Sequence, residues 1–193
     1  MDVLKTAAVG MSALLVVLLP HVGLSEDLSA REVRYEFQRL SDPGYPNCTI
    51  ALFIANPPAP EFVNVRLRVD AELKTGQMFF GLSTDVGEQL FVGGKPHGIK
   101  VVPIAQAELA TSWFDTLGQL NPAKTDGGIL LGTQDADVFS RLYFAFTSGK
   151  MTMRFTRDGT SMVRGYDIGE MPPLKVRSSF NDCMSNMLAA LHR

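Results

Sequence analysis

The most constraining feature of this sequence is a strict alternation of apolar and polar residues between positions 63 and 70. The apolar positions are Val63, Val65, Leu67 and Val69, and the polar ones between them are Asn64, Arg66, Arg68 and Asp70. A period of two places successive side chains on opposite faces of a strand. The pattern therefore predicts a strand with one buried and one solvated face, as is typical of antiparallel sheets.

Other stretches of the chain carry strand signals of the same kind and are separated by glycine, proline and aspartate turns. They lie at 33–37, 48–54, 77–83, 89–92, 99–104, 151–155 and 162–168. The last two flank Asp158-Gly159, a sequence typical of a hairpin turn. The chain is therefore expected to be mainly β.

Three segments have features of helices. Apolar residues at 109–120 recur at helical spacing, and Trp113 and Phe114 belong to this pattern. Residues 136–148 fit either a helix or a strand, and we favour a helix ending at Gly149. The sequence SFND at 179–182 resembles a capping box that opens a C-terminal helix. Together these patterns predict an antiparallel β-sandwich with two or three helices.

The two cysteines, Cys48 and Cys183, are the only ones in the chain. Cys48 falls on a predicted strand and Cys183 on the inner face of the predicted C-terminal helix. The simplest interpretation is one structural disulfide that pins this helix to the strand, which suits an oxidising compartment.

The N-terminus has the layout of a secretory signal. Residues 7–19 form an unbroken run of small and apolar residues, followed by Pro20 and by small residues at 23 and 25. We expect cleavage after Ser25, with an uncleaved anchor as the alternative, and a single exported β-rich domain at 26–193. This places the protein in the periplasm or outside the cell, and after cleavage no stable membrane span is expected.

Composition narrows the possible functions of the chain. Eighteen basic and twenty acidic residues give a net charge of −2, which argues against a nucleic-acid surface. Only His97 and His192 follow the predicted signal, so we expect no metal site and no cofactor. The most conspicuous loop, GGKPHG at 93–98, has a proline after the lysine and leads into a strand. It is therefore predicted to be a hairpin turn rather than a phosphate loop.

No arrangement in the sequence points clearly to catalysis, although two possibilities stay open. A small hydrolase could use His97, or a pair of carboxylates brought together by folding. Its carboxylate candidates are Glu108, Asp115, Asp135 and Asp137.

Two features favour binding instead. Lys150, Arg154, Arg157 and Arg164 lie on or beside the predicted 151–168 hairpin and would form a basic ridge if the register placed them on one face. Such a ridge suits an acidic partner or envelope polymer, whereas its alternative is an ordinary solvated face. Trp113 could anchor an interface or, at helical spacing, lie in the core.

The order of these features resembles that of small exported bacterial proteins. The stretch from Leu142 to Phe155 (LYFAFTSGKMTMRF) and the final FNDCMSNML segment are similar to proteins of the invasion-associated locus B type and to periplasmic secretion-accessory proteins. The resemblance implies a β-sandwich closed by a C-terminal helix and carries over no catalytic residue.

We therefore predict a noncatalytic periplasmic domain that binds another envelope protein or polymer. The alternatives are the small exported hydrolase and an inhibitor or immunity-type protein directed at an enzyme of the envelope.

Overall fold

The computed structural model describes residues 25–29, 32–40, 42, 44–55, 60–116, 120–125 and 127–192. Nearly all of the predicted signal peptide and residues 56–59 lie outside this part of the chain. The described residues form eleven strands and two helices, numbered in chain order. The strands are β1 (Ser25–Ser29), β2 (Glu32–Leu40), β3 (Asn47–Ala55), β4 (Glu61–Glu72), β5 (Gln77–Val92), β6 (Lys95–Val102), β7 (Ile104–Ala110), β8 (Asn121–Thr125), β9 (Gly128–Thr133), β10 (Met151–Arg157) and β11 (Val163–Ile168). The helices are α1 (Ala136–Thr147) and α2 (Leu174–Leu191).

The prediction of a mainly β fold with antiparallel sheets is confirmed. A seven-stranded sheet has the order β2-β3-β4-β5-β9-β8, with β6 also paired to β5. A four-stranded sheet has the order β1-β11-β10-β7. All strand pairs within these sheets are antiparallel except β1 with β11, which is parallel.

The core lies on the inner face of the larger sheet. The alternation at 63–70 does what its period predicts, because the four apolar side chains are fully buried while the polar ones between them are partly exposed. Buried side chains of the smaller sheet, including Met153, Phe155 and Tyr166, belong to the same core. The opposite face of the larger sheet, here called the outer face, carries the polar half of the alternation.

Two helices close the core. Helix α1 confirms the favoured interpretation of 136–148, and Asp135 caps it by accepting hydrogen bonds from the amides of Asp137 and Val138. Helix α2 packs on β2 and β3, and its Cys183 is bonded to Cys48 as predicted. The two Cα atoms are 6.0 Å apart, within the usual range for a disulfide.

Two expectations about helices were wrong. Residues at the start of the predicted 109–120 helix form the end of β7, and the chain then turns at 111–116, held by the hydroxyl of Thr111. Strand alternation fits Ala107 and Leu109 as well as helical spacing fits Leu109 and Trp113, and pairing with β10 decides the outcome. Helix α2 begins at Leu174, directly after Pro173, so residues 179–182 lie inside it and form no cap.

No helix in the described part of the chain is both long and apolar enough to cross a membrane.

Candidate interaction surface

A β-hairpin at the end of β5 and the start of β6 is the most exposed apolar feature of the described residues. Strand β4 accompanies β5 only as far as the pair Glu61 and Glu88. Beyond this point β5 has β6 as its only strand partner among the described residues. The hairpin therefore extends past the edge of the larger sheet.

The hairpin turn follows directly from its glycines. Gly93 and Gly94 both have positive φ, at 59° and 76°. Two consecutive residues of this kind match the type I′ turn, whose twist suits a two-residue hairpin and which glycine adopts without steric cost. The prediction of a hairpin at 93–98 is confirmed.

Large apolar side chains are exposed along both arms of this hairpin. Phe91 is 56% exposed, Ile99 62% and Val101 54%. We call the group the hairpin patch, and its members are Leu90, Phe91, Val92, Ile99 and Val101. Phe91, Ile99 and Val101 lie on one face of the hairpin and Leu90 and Val92 on the other. Scattered exposed apolar residues are normal in soluble proteins, but five on one projecting element are typical of an interaction site.

The apolar surface continues from the hairpin onto the sheet. Val101 is paired with Gly87, and Gly87 lies against the ring of Phe62. That ring stacks on Phe53 at a centroid distance of 5.4 Å. The glycine leaves room for the ring, so the hairpin joins the sheet through a nearly continuous apolar strip.

Basic side chains border the patch. Lys95 and Lys100 are exposed, and neither has an ion-pair partner among the described residues. His97 is also exposed near the turn, with no hydrogen-bond partner in the part of the chain that the structure describes. An apolar centre with a positively charged rim is a common composition for a protein interface.

The predicted basic ridge does not form, because the register separates its members. Arg154 is paired with Gly165 and points away from the core, where its guanidinium lies 3.7 Å from the carboxylate of Glu108. Arg157 and Arg164 lie on the opposite face, toward the core. Lys150 is exposed just before β10.

Arg157 and Arg164 converge instead on Glu61, whose side chain is only 2% exposed. Arg164 lies 3.3 Å from this carboxylate, Arg157 donates a hydrogen bond to it, and the hydroxyl of Tyr166 donates another at 2.7 Å. Arg157 also pairs with Glu88 at 2.8 Å. The two arginines are thus engaged in a cluster that joins the two sheets.

The electrostatics of this cluster fit a structural role. Burial alone would raise the pKa of Glu61, but hydrogen bonds from Arg157 and Tyr166 and the charges of the two arginines hold it below its usual value. Burial, and then the hydrogen bond to Glu61, raises the pKa of the Tyr166 hydroxyl. A general acid in a carboxylate-pair hydrolase needs a raised carboxyl pKa, so this cluster does not have the properties of such a site.

Trp113 is 56% exposed, whereas its neighbour Phe114 is buried. The interpretation of Trp113 as a core residue was wrong, because the chain turns here and presents successive side chains to opposite environments.

Sequence reasoning missed the hairpin patch. The signal was present, since LFV at 90–92 and the IKV triplet at 99–101 place apolar residues on both faces of a short hairpin. A strand end with apolar residues on both faces is not amphipathic. Because the hairpin extends past the edge of the sheet, its apolar side chains are not covered by the core.

No protein-family model, curated protein or solved structure matches this chain. The resemblance to invasion-associated locus B proteins therefore stays a prediction.

Proposed function

We propose that this protein is an exported, noncatalytic binding domain that docks onto another protein of the cell envelope through the hairpin patch. The observation that carries the proposal is the exposure of five large apolar side chains on one projecting hairpin. Burying a side chain of this size contributes about 1.5–3 kcal/mol, so a few of them suffice for specific association.

The basic residues at the rim of the hairpin patch indicate the chemistry of the partner surface. Lys95 and Lys100 stand beside the patch, and neither makes an ion pair among the described residues. A partner with an apolar depression bordered by acidic groups would complement this surface in shape and charge.

Export is supported by the N-terminal apolar segment and by the disulfide. A bond between Cys48 and Cys183 persists in an oxidising compartment and is rare in the cytosol. The intact mass of protein recovered from the host should match a chain beginning near Glu26 and lacking two hydrogens. A full-length mass, or two thiols open to alkylation, would contradict export with a formed disulfide.

The alternatives receive less support from the geometry. His97 lies near the tip of an exposed hairpin rather than in a concave pocket. Glu61 and Glu88 both pair with Arg157, and Arg164 pairs with Glu61, so the two arginines balance the two carboxylates. An inhibitor would use the same kind of surface, and the identity of the partner would distinguish it from an accessory protein.

The test places a photocrosslinking amino acid at position 99, inside the patch, and separately at Phe144 as a control. Phe144 is also an exposed aromatic residue, on helix α1. In the protein's own host, position 99 should give a discrete adduct with one other protein, and position 144 should not.

Direct binding to that purified partner is then measured for two variants. The double variant Phe91→Ser/Ile99→Ser should weaken binding at least tenfold, and Phe144→Ser should leave it unchanged. Equal adducts from both positions, adducts only with a second copy of this chain, or equal affinity of all variants would overturn the proposal.

A further inference from the structure

The outer face of the larger sheet carries a row of small and polar residues. Strand register places them side by side on neighbouring strands: Gln38, Thr49, Arg68, Gly81, Gly132 and Asn121. Six strands spaced about 4.8 Å apart make such a row roughly 24 Å long. The row lies across the sheet on the face away from the core.

The floor of this row is flat because two glycines meet on neighbouring strands. Gly81 of β5 is paired with Gly132 of β9. A Cβ at position 132 would find only the Phe80 carbonyl oxygen within 4 Å, at 3.9 Å. We call the shallow channel over this row of residues the groove. A side chain at position 132 would therefore fill the groove without displacing the core.

A depression of about 650 Å³ opens over Gly81 and Gly132. Its walls include Phe79, which is partly exposed, together with Asn121 and Gln134. This volume is within the range of ligand sites, about 300–1,000 Å³.

Two further depressions share Arg68 with the first one. One of about 420 Å³ is lined by Arg66 and Arg68, and so is one of about 300 Å³ that reaches β2 and β3. The depressions of about 650 Å³ and 300 Å³ therefore follow one another across the sheet, a shape suited to an extended chain rather than a compact small molecule, and the third runs along β4 and β5 toward the hairpin.

The charges that line these depressions cancel. Arg39, Arg66 and Arg68 are balanced by Asp70, Asp85 and Asp135. Arg66 is paired with Asp85, and Arg68 with Asp70. A polyanion or a polycation would meet as much repulsion as attraction here, whereas an uncharged ligand rich in hydroxyl groups could hydrogen-bond to both signs.

We infer that this groove binds a neutral polysaccharide, with sugar rings lying over the Gly81–Gly132 floor and against the ring of Phe79. The planar amide, carboxylate and guanidinium groups along the groove can each contact two hydroxyls of a sugar. This inference is tested at the depression over Gly81 and Gly132, which shares no residue with the hairpin patch, whereas Ile99 and Val101 of the patch line the neighbouring depression of about 420 Å³.

The test is electrophoresis of the disulfide-bonded protein, from residue 26 onward, in native gels containing soluble polysaccharide. The neutral probes are dextran, soluble starch, laminarin and hydroxyethyl cellulose, and alginate is the anionic control. At least one neutral probe should retard the protein, and alginate should not.

Variants then locate the binding. Gly132→Leu should weaken binding at least tenfold by filling the floor, and Gln134→Ala should weaken it with little effect on folding. The matched control is Gly169→Leu, because Gly169 has open space around its Cβ and does not line the groove. Circular dichroism and melting curves check that each variant is folded.

Retardation by none of the neutral probes, stronger retardation by alginate, or an undiminished effect in folded Gly132→Leu and Gln134→Ala would overturn the inference. Phe91→Ser, at a residue of the hairpin patch that lines none of these depressions, should keep full polysaccharide binding, so failure of the protein-docking proposal and failure of this one give different results.

Discussion

Arg157 of β10 and Glu61 of β4 form an ion pair that links the two sheets through a carboxylate almost fully shielded from solvent. Arg164 and Tyr166 contact the same carboxylate, so its charge is well compensated. Because the pKa of Glu61 is lower in the folded chain, the group adds stability at pH values above its ordinary pKa in the unfolded chain. This contribution is lost as the pH falls through the folded pKa.

Replacing Glu61 with Gln should therefore lower the free energy of unfolding at pH 7 by about 1.5–3 kcal/mol, the usual contribution of hydrogen bonds to a charged group. Between pH 5 and pH 3 the wild type should lose stability more steeply than Glu61→Gln. Urea denaturation across this range measures both effects.

The control for this experiment is Asp158→Asn, which removes the exposed pair with Lys124. An exposed pair of this kind contributes at most about 1 kcal/mol. Parallel pH curves for wild type and Glu61→Gln would contradict the role given to the buried carboxylate.

Gly149, which follows α1, should tolerate no side chain. Its φ is +67°, and a Cβ there would lie 2.6 Å from the backbone nitrogen of Met171. Backbone cannot move aside as the end of a side chain can. Gly149→Ala should thus lower the free energy of unfolding by clearly more than the roughly 1–2 kcal/mol that a left-handed conformation costs alone.

Gly159 provides the comparison, because its φ is +77° but nothing lies within 4 Å of its Cβ position. Gly159→Ala should lower the free energy of unfolding only by the cost of the left-handed conformation. Equal losses of stability for the two variants, measured by chemical denaturation, would show that the contact with Met171 is unimportant.

The sequence predicted the elements whose pattern matches only one structure. The alternation at 63–70 and the turn at Asp158-Gly159 have one interpretation each, and both are confirmed. The disulfide was predictable because the chain contains two cysteines and both fall on faces directed to the core.

Predictions failed where a sequence pattern fits two structures and pairing with a strand distant in sequence decides between them. Leu109 fits a helix and a strand equally, and only its neighbour across the sheet, Met153, settles the matter. The basic ridge failed because Arg154 and Arg157 are three residues apart in β10, so the alternation of side chains places them on opposite faces, and Glu61, 96 residues from Arg157, pairs with the one on the core side. The groove depends on the Gly81–Gly132 pair, which no local pattern reveals.

The disulfide should account for much of the stability. Cys48 and Cys183 are 135 residues apart, and closing a loop of this size contributes about 4–5 kcal/mol in the chain-entropy model. The variant Cys48→Ala/Cys183→Ala should therefore lose several kcal/mol, whereas reducing agent should have no effect on it. Denaturation curves of both proteins, with and without dithiothreitol, test this. A double variant as stable as the oxidised wild type would contradict the structural role.

The turn after β7 predicts that two adjacent aromatic residues contribute very differently to stability. Phe114 is 5% exposed and packs in the core, whereas Trp113 faces solvent. Phe114→Ala should cost about 3–5 kcal/mol through the cavity it leaves, and Trp113→Ala should change stability by no more than about 0.5 kcal/mol. Tryptophan fluorescence provides a second check, because the sole tryptophan should emit like a solvated indole in the folded protein and shift little on unfolding. A strongly blue-shifted emission, or a large loss of stability in Trp113→Ala, would place Trp113 in the core and show that the turn at 111–116 is incorrect.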